Sequence, residues 1–518
     1  MYYKKLLLAL SLVSLILSGC VDKQTSNVLP RSIPEAEGVS SEGILKFLEA
    51  VENSSHEFHS FMFLRHGKVI AEGWWDPYRP DLKHTLYSTS KSFTSTAVGF
   101  AVGDNLVSVD DKVISFFSED LPDTISLFLS EMTVRDLLSM SAGQDPDPTS
   151  TVVSRDSNWI RGFLAMPIVN EPGTKFLYNS LATYMLSAIV QKVTGERIVS
   201  YLTPRLFEPL GIGGMDWETD PLGINTGGWG LRVKTEDMAK FGQLYLQKGK
   251  WDGEQILPEE WIEEATTSKI EQAPDAPQSI KDSSDWLQGY CYQFWRCRHH
   301  AFRADGAYGQ FIIVMPDLDA VIAITAETPD MQGEINLVWE YLLPAMHEGE
   351  LPANDSITTE LKQGLTTLAL PLPVKSDNPA IVSEISGKTY TLEPNEQQVG
   401  TISLHFADNE CHVTLGTDTA VYEITFGSGE WKTDETTKRG PYLVAGAKGS
   451  LTGLPPFKVA GSFSWVDENT LQLVLRYIES PHTETMICHF DENKISIDIH
   501  YSFIPRIFES AWMGEVKE

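Results

Sequence analysis

Apolar positions along this chain follow two rhythms. From about Pro34 to Glu350, stretches with apolar residues three and four apart alternate with short runs rich in β-branched and aromatic residues. His59 to Arg65 and Lys68 to Gly73, separated by the turn pair His66-Gly67, predict a β-hairpin. Phe311 to Met315 and Ala320 to Thr325, split by Pro316 to Asp319, predict a second. Ser92 to Val102 is small, apolar and helical in pattern, Leu181 to Val193 predicts a second helix, and Met238 to Leu246 carries amphipathic spacing. Thr133 and Asp136 have the spacing of a capping box, in which hydroxyl and carboxylate satisfy free N–H groups at a helix start. Helices mixed with antiparallel hairpins predict an α+β fold, with helices packed on a sheet.

Further along, the rhythm becomes two. Ile402, Leu404 and Phe406 alternate with polar residues, as do Leu471, Leu473, Leu475 and Tyr477. Met486, Cys488 and Phe490 follow, then Ile495, Ile497, Ile499 and Tyr501, with turn residues at 407–410 and 467–469. This predicts a half-buried antiparallel β-domain over residues 379–518, a small barrel or sandwich. Residues 351–378, rich in Pro, Thr and Ser, read as a linker after a first domain over 34–350.

The beginning of the chain carries a different signal. Lys4 and Lys5 precede the apolar stretch Leu6 to Ser18, short for a bilayer span, which ends in Leu17, Ser18, Gly19 and Cys20. Small residues before a cysteine resemble a bacterial lipobox. The expectation is a signal peptide over 1–19, lipid on Cys20, and a polar tether over 20–33. That places the chain in the cell envelope as a periplasmic or outer-membrane lipoprotein, touching the membrane through its lipid. An ordinary secretory signal or an N-terminal anchor helix is the alternative.

Composition narrows the partners. A formal charge of −31 argues against nucleic-acid or anionic-lipid binding. Hydrophobic content of 42% supports packed cores rather than disorder. After Cys20 there remain Cys291, Cys297, Cys411 and Cys488, whose pairing the spacing does not choose. Cys411 and Cys488 share the parity of their apolar neighbours, so both are expected in the core of the β-domain. No Cys/His cluster has zinc spacing, and neither metal nor organic cofactor is expected.

Ser88 and Lys91 lie one turn apart on one face at the start of the helix that continues to Val102. A serine hydroxyl is a weak nucleophile at neutral pH and needs a base to take its proton. A lysine can be that base when burial or neighbouring positive charge holds its amine neutral. The helix start adds outward N–H groups and a partial positive charge suited to an oxyanion. On spacing alone, a capped helix with an exposed lysine is the plainer reading of the pair.

The residues around it carry more. Leu86 to Ser95, Thr133 to Gly143, Pro172 to Ser180, Gly227 to Leu246 and Gly306 to Gln310 resemble, in order, the motifs of the penicillin-recognising serine hydrolases. That family includes class C β-lactamases, D-alanyl-D-alanine peptidases, related esterases and 6-aminohexanoate-oligomer hydrolases. The resemblance implies a β-lactamase/transpeptidase-like domain and an acyl-enzyme on Ser88. It makes Tyr178 the general base of acylation and proton donor to the leaving group, with Lys91 lowering its pKa. It assigns the oxyanion hole to the N–H groups of Ser88 and Ala307, with Ser180 and Gly306 in support.

Two departures bear on the substrate. Ser180 stands where the second motif usually has asparagine, and Ala304 where the third has lysine or histidine, so the cation for a substrate carboxylate is missing there. Arg303 or His300 could replace it, but a surface charge is the plainer reading of both. The departures resemble the esterase and amidase branches, hence a small-molecule or peptide-like ester or amide as substrate. A β-lactamase or D-alanyl-D-alanine peptidase, and a non-catalytic penicillin-binding receptor, are the alternatives. Trp286, Tyr290, Tyr292, Phe294, Trp295 and Tyr308 could line an apolar acyl pocket or pack in the core.

Overall fold

The computed structural model describes residues 28–447, 451–504 and 512–516. The expected signal peptide over residues 1–19 and the expected lipid site Cys20 lie outside the described residues. Six strands build the main sheet: β1 (Glu57–Arg65), β2 (Lys68–Trp74), β3 (Trp295–Arg296), β4 (Phe302–Gly306), β5 (Gln310–Met315) and β6 (Ala320–Glu327). Their order is β2-β1-β6-β5-β4-β3, antiparallel throughout. Both hairpins expected from the sequence are present, as β1–β2 and β5–β6.

The strands are apolar on both faces because both faces are covered. Phe61, Phe63, Ile322 and Ile324 face α1 (Ser41–Glu52). Met62, Leu64, Val321 and Ala323 share the opposite core with α2 (Ser90–Gly103), α3 (Ser180–Thr194) and α4 (Thr235–Leu246). Each fully buried Phe or Leu contributes roughly 1.5–3 kcal/mol, so this two-sided core is the main source of stability. The capping box at Thr133 and Asp136 forms as expected. A further helix on the α1 side, α5 (Met331–Leu337), follows β6.

Described parts of two segments expected to be loose are docked. Within 351–378, residues Asp355–Thr366 form a helix, α6, that buries Leu361 in the α1-side core. Its capping residue Asn354 accepts from the Ile357 amide, and Leu361, Leu365 and Leu368 recur at helical spacing, which outweighs the Pro- and Thr-rich flanks. The chain then pairs with the body through Leu368 and Leu370, each bonded to the Asp76 backbone. Within 20–33, Leu29 is buried and Arg31 forks onto Glu72 and Glu236 at 2.8 and 3.0 Å. Leu29 and Arg31, expected in a polar tether, are thus held against the first domain.

The second region is a barrel, not a sandwich. Its strands are β7 (Thr389–Leu392), β8 (Val399–Ala407), β9 (Glu410–Thr417), β10 (Val421–Ser428), β11 (Lys432–Thr436), β12 (Phe457–Trp465), β13 (Thr470–Tyr477), β14 (Thr483–Asp491), β15 (Lys494–Tyr501) and β16 (Trp512–Val516). They run β10-β9-β8-β7-β16-β15-β14-β13-β12-β11, and a parallel pairing of β10 with β12 closes the ring beside β11. Its core holds Ile402, Leu404, Leu473, Met486 and Ile497. Cys411 and Cys488 are both free thiols in that core, as parity indicated, and Cys291 and Cys297 are free as well.

The barrel is joined to the first domain by contacts, not only by the chain. Arg476 on β13 forks onto Glu57 at the start of β1, 2.6 and 3.1 Å away. Ala460 and Ile478 enter the same buried cluster as Phe61 and Phe63.

Candidate active site

The site is built where β4 ends against the start of α2. Gly306 closes β4 so tightly that a Cβ there would sit 2.2 Å from the Leu86 carbonyl oxygen and 2.9 Å from Thr89 Oγ1. Only glycine permits this approach. Thr89 Oγ1 donates to the Gln310 carbonyl at 2.7 Å, tying the same turn to β5. Ser88 lies in the 3-10 turn Tyr87–Thr89 that leads into α2, which itself begins at Ser90.

Lys91 is 1% exposed, not a surface lysine. Its amine lies 2.9 Å from Ser88 Oγ, 3.0 Å from Ser180 Oγ and 2.6 Å from the Gly228 carbonyl oxygen. Burial lowers its pKa to about 7, against the opposing pull of Asp147 and Asp305. A neutral amine has two N–H donors and one lone pair. Donating to Ser180 and Gly228 aims the lone pair at the Ser88 hydroxyl.

Gly228 was not singled out by sequence reasoning, although it falls in a run that resembled the family. The signal was the adjacent Gly227-Gly228 pair. Gly227 has φ +64°, and a Cβ on Gly228 would meet the Ser180 carbonyl oxygen at 2.6 Å. Both glycines let this loop press against α3 and deliver a carbonyl to Lys91.

Tyr178 reaches the same place from the residues before α3. Its ring centroid is 4.8 Å from Lys91 Nζ, and its hydroxyl interacts with that of Ser88. Asn179 then caps α3, accepting from the amides of Leu181 and Ala182 at 3.0 and 3.1 Å, which sets Ser180 beneath Lys91. Burial, with the nearby Asp305 carboxylate, pushes the Tyr178 phenol well above its usual pKa. The expected lowering by Lys91 is not seen: desolvation of the buried phenol dominates.

Ala307 begins the turn after β4. Tyr308 and Gly309 have φ +64° and +94°, and Gln310 Nε2 donates to the Ala307 carbonyl at 3.1 Å. Because Gly306 packs against Leu86 and Thr89 on either side of Ser88, this turn starts beside the Ser88 turn. Ser88, Lys91, Tyr178, Ser180 and Gly306, drawn from distant stretches of chain, meet there.

The neighbours of the third motif depart from expectation. Ala304 is packed in the core. Arg303 is not on the surface: it is fully buried, with Nε 2.8 Å from Asp305 Oδ2 and its guanidinium 4.2 Å from the Trp286 ring centroid. An alternating strand buried on both faces carries no surface position there. His300 is exposed, 2.9 Å from Asp317, and takes no part. The aromatics divide. Trp295 and Tyr290 pack around Tyr178 at 5.6 and 6.4 Å between centroids, whereas Tyr292 and Phe294 belong to the main core.

The family model described as Beta-lactamase matches residues 59–342, more than half of the chain. The 6-aminohexanoate-dimer hydrolase of Paenarthrobacter ureafaciens is 27% identical over 293 residues, 52% of this chain and 73% of that protein. A provisionally assigned D-alanyl-D-alanine carboxypeptidase of Escherichia coli O157:H7 is 27% identical over 143 residues, 25% of this chain and 33% of that protein. Among solved structures, a provisionally assigned 6-aminohexanoate-dimer hydrolase from Bacillus anthracis aligns with TM-score 0.52 and 21% identity, covering 63% of this chain and 89% of that one. The chain belongs to the beta-lactamase family of serine hydrolases.

Proposed function

We propose that this chain hydrolyses an ester or amide through an acyl-enzyme on Ser88. The observation that carries the reading is the buried Lys91 amine 2.9 Å from the Ser88 hydroxyl, its pKa brought down to about 7 by burial. Lys91 takes the Ser88 proton as the hydroxyl attacks the substrate carbonyl. The carbonyl oxygen becomes an anion held by the amides of Ser88 and Ala307. Tyr178, protonated at neutral pH, donates to the departing alkoxide or amine and receives that proton back through Lys91. Water then attacks the acyl group by the reverse route, with Lys91 as base.

The charge around the cleft supports a substrate without a carboxylate beside the scissile bond. Arg303 is committed to Asp305, Ala304 offers no cation, and the carboxylates near Lys91 are Asp147 and Asp305. Trp295 and Tyr290 beside Tyr178 favour an apolar or aromatic group. The test is turnover of p-nitrophenyl esters, ω-amino amides, a chromogenic cephalosporin and D-alanyl-D-alanine peptides by the same preparation. Ester or amide turnover exceeding the other two supports the reading; cephalosporin cleavage or D-alanine release alone would replace it.

We also propose lipid attachment at Cys20, on the lipobox-like residues before it. Metabolic labelling with a palmitate analogue should mark the wild type and not Cys20→Ala; equal labelling of both removes the proposal.

A further inference from the structure

The two amides proposed to hold the oxyanion are flanked by residues with left-handed backbone. Tyr87, immediately before Ser88, has φ +46°, and Tyr308, immediately after Ala307, has φ +64°. Aromatic residues hold that conformation only where their surroundings impose it.

Both side chains meet one ring, and it comes from the barrel. His482, on the turn between β13 and β14, is fully buried. Its Nε2 lies 2.5 Å from the Tyr87 hydroxyl, and its Nδ1 lies 2.6 Å from Glu327 Oε1 at the end of β6. Ser502 donates to the same carboxylate oxygen at 2.7 Å and fixes it. Burial keeps the Tyr87 phenol protonated, so it donates to Nε2 while Nδ1–H donates to Glu327. The Tyr308 ring stands edge-on to the imidazole with centroids 5.1 Å apart, and Phe503 covers it at 4.3 Å. The same barrel turn bonds the chain just upstream of Ser88: the Glu479 carbonyl accepts from both the amide and the hydroxyl of Thr85, at 2.9 and 3.0 Å.

We propose that His482 is a positioning residue that fixes the spacing of the Ser88 and Ala307 amides by holding Tyr87 and Tyr308 in their left-handed conformations. The inference rests on the acyl-enzyme reading above. It makes the barrel part of the catalytic apparatus. Donors aimed at an oxyanion act only in the transition state, and a displacement of about 1 Å costs on the order of 100-fold. Losing the buttress should therefore lower kcat and leave KM nearly unchanged.

The experiment compares the full-length wild type with His482→Ala, His482→Gln, Tyr87→Phe and the Tyr87→Phe/His482→Ala double variant on a p-nitrophenyl ester. Covalent labelling of Ser88 by a fluorophosphonate is read in parallel. Tyr87→Phe and His482→Ala should each lower kcat about 10- to 100-fold with KM within about 3-fold. The double variant should match the worse single one, because both cuts remove one bond. His482→Gln, whose amide oxygen accepts from Tyr87, should recover part of the loss. Tyr87→Phe removes a single oxygen and serves even if His482→Ala does not fold. An active wild type with Tyr87→Phe at full kcat, losses confined to KM, or single losses that multiply in full would overturn the proposal alone. A wild type that neither turns over ester nor labels at Ser88 would remove the hydrolase reading, and this inference with it.

Discussion

The amine of Lys91 lies 2.6 Å from the carbonyl oxygen of Gly228, a residue far along the chain on the loop beneath α3. The contact orients the amine. With Gly228 and Ser180 occupying its N–H groups, the remaining position faces Ser88 Oγ.

The first prediction is a pH profile. Burial holds Lys91 at a pKa of about 7, so the amine is protonated below that value and cannot accept the Ser88 proton. The kcat/KM for an ester should fall as pH drops through about 7 and reach a plateau above it. Lys91→Met should lose about 1,000-fold or more at every pH, with no residual limb near 7. A flat wild-type profile from pH 5 to 8 would contradict this role.

Ser180 holds the amine beside Gly228, 3.0 Å from Nζ. Ser180→Ala should lower kcat by about 10-fold, with KM within about 2-fold, because one of three orienting contacts is lost while the substrate surface is untouched. Steady-state kinetics on one ester decides it.

Arg303 and Asp305 form a buried ion pair 2.7 Å apart at the end of β4. Arg303→Met strands the Asp305 carboxyl and should cost about 3–5 kcal/mol in urea unfolding. The Arg303→Met/Asp305→Asn double variant should recover part of that loss. Equal stability of the single variant and the wild type would show that the pair carries no weight.

Gly306→Ala would place a methyl 2.2 Å from the Leu86 carbonyl oxygen. The Leu86–Thr89 turn must move, so esterase activity should fall at least about 100-fold, more than any fall in melting temperature accounts for. Activity within 10-fold of wild type would mean the turn has slack.

The barrel has a core of its own around Leu404, Leu473 and Met486. Residues 379–518 expressed alone should show the circular dichroism of a folded β-protein. A random-coil spectrum would mean that the contacts of Arg476, Ala460 and Ile478 with the first domain are required for folding.

The hairpins, the helix after Ser88, the capping box and the two-residue rhythm of the barrel were legible because each is a local pattern of burial or capping. So was the Ser88/Lys91 pairing, which spans a single turn. What the sequence hid was fixed by distant packing. Arg303 resembles a surface charge until β4 is seen to be buried on both faces, and Asp305 is its partner only there. The helix over Asp355–Thr366 was masked by its Pro- and Thr-rich flanks. His482 carries no local signal, since its partners Tyr87 and Glu327 lie in the other domain. The Tyr178 shift runs opposite to expectation because desolvation dominates for a phenol buried this fully.

Intact-mass spectrometry after brief exposure to a fluorophosphonate, with peptide mapping, tests the shared cleft of hydroxyl, amine and phenol most directly. One adduct on Ser88 in the wild type, none in Ser88→Ala and a labelling rate reduced at least about 100-fold in Lys91→Met is the expected result. An adduct on another residue, or labelling of Ser88 at the wild-type rate without the Lys91 amine, would contradict it.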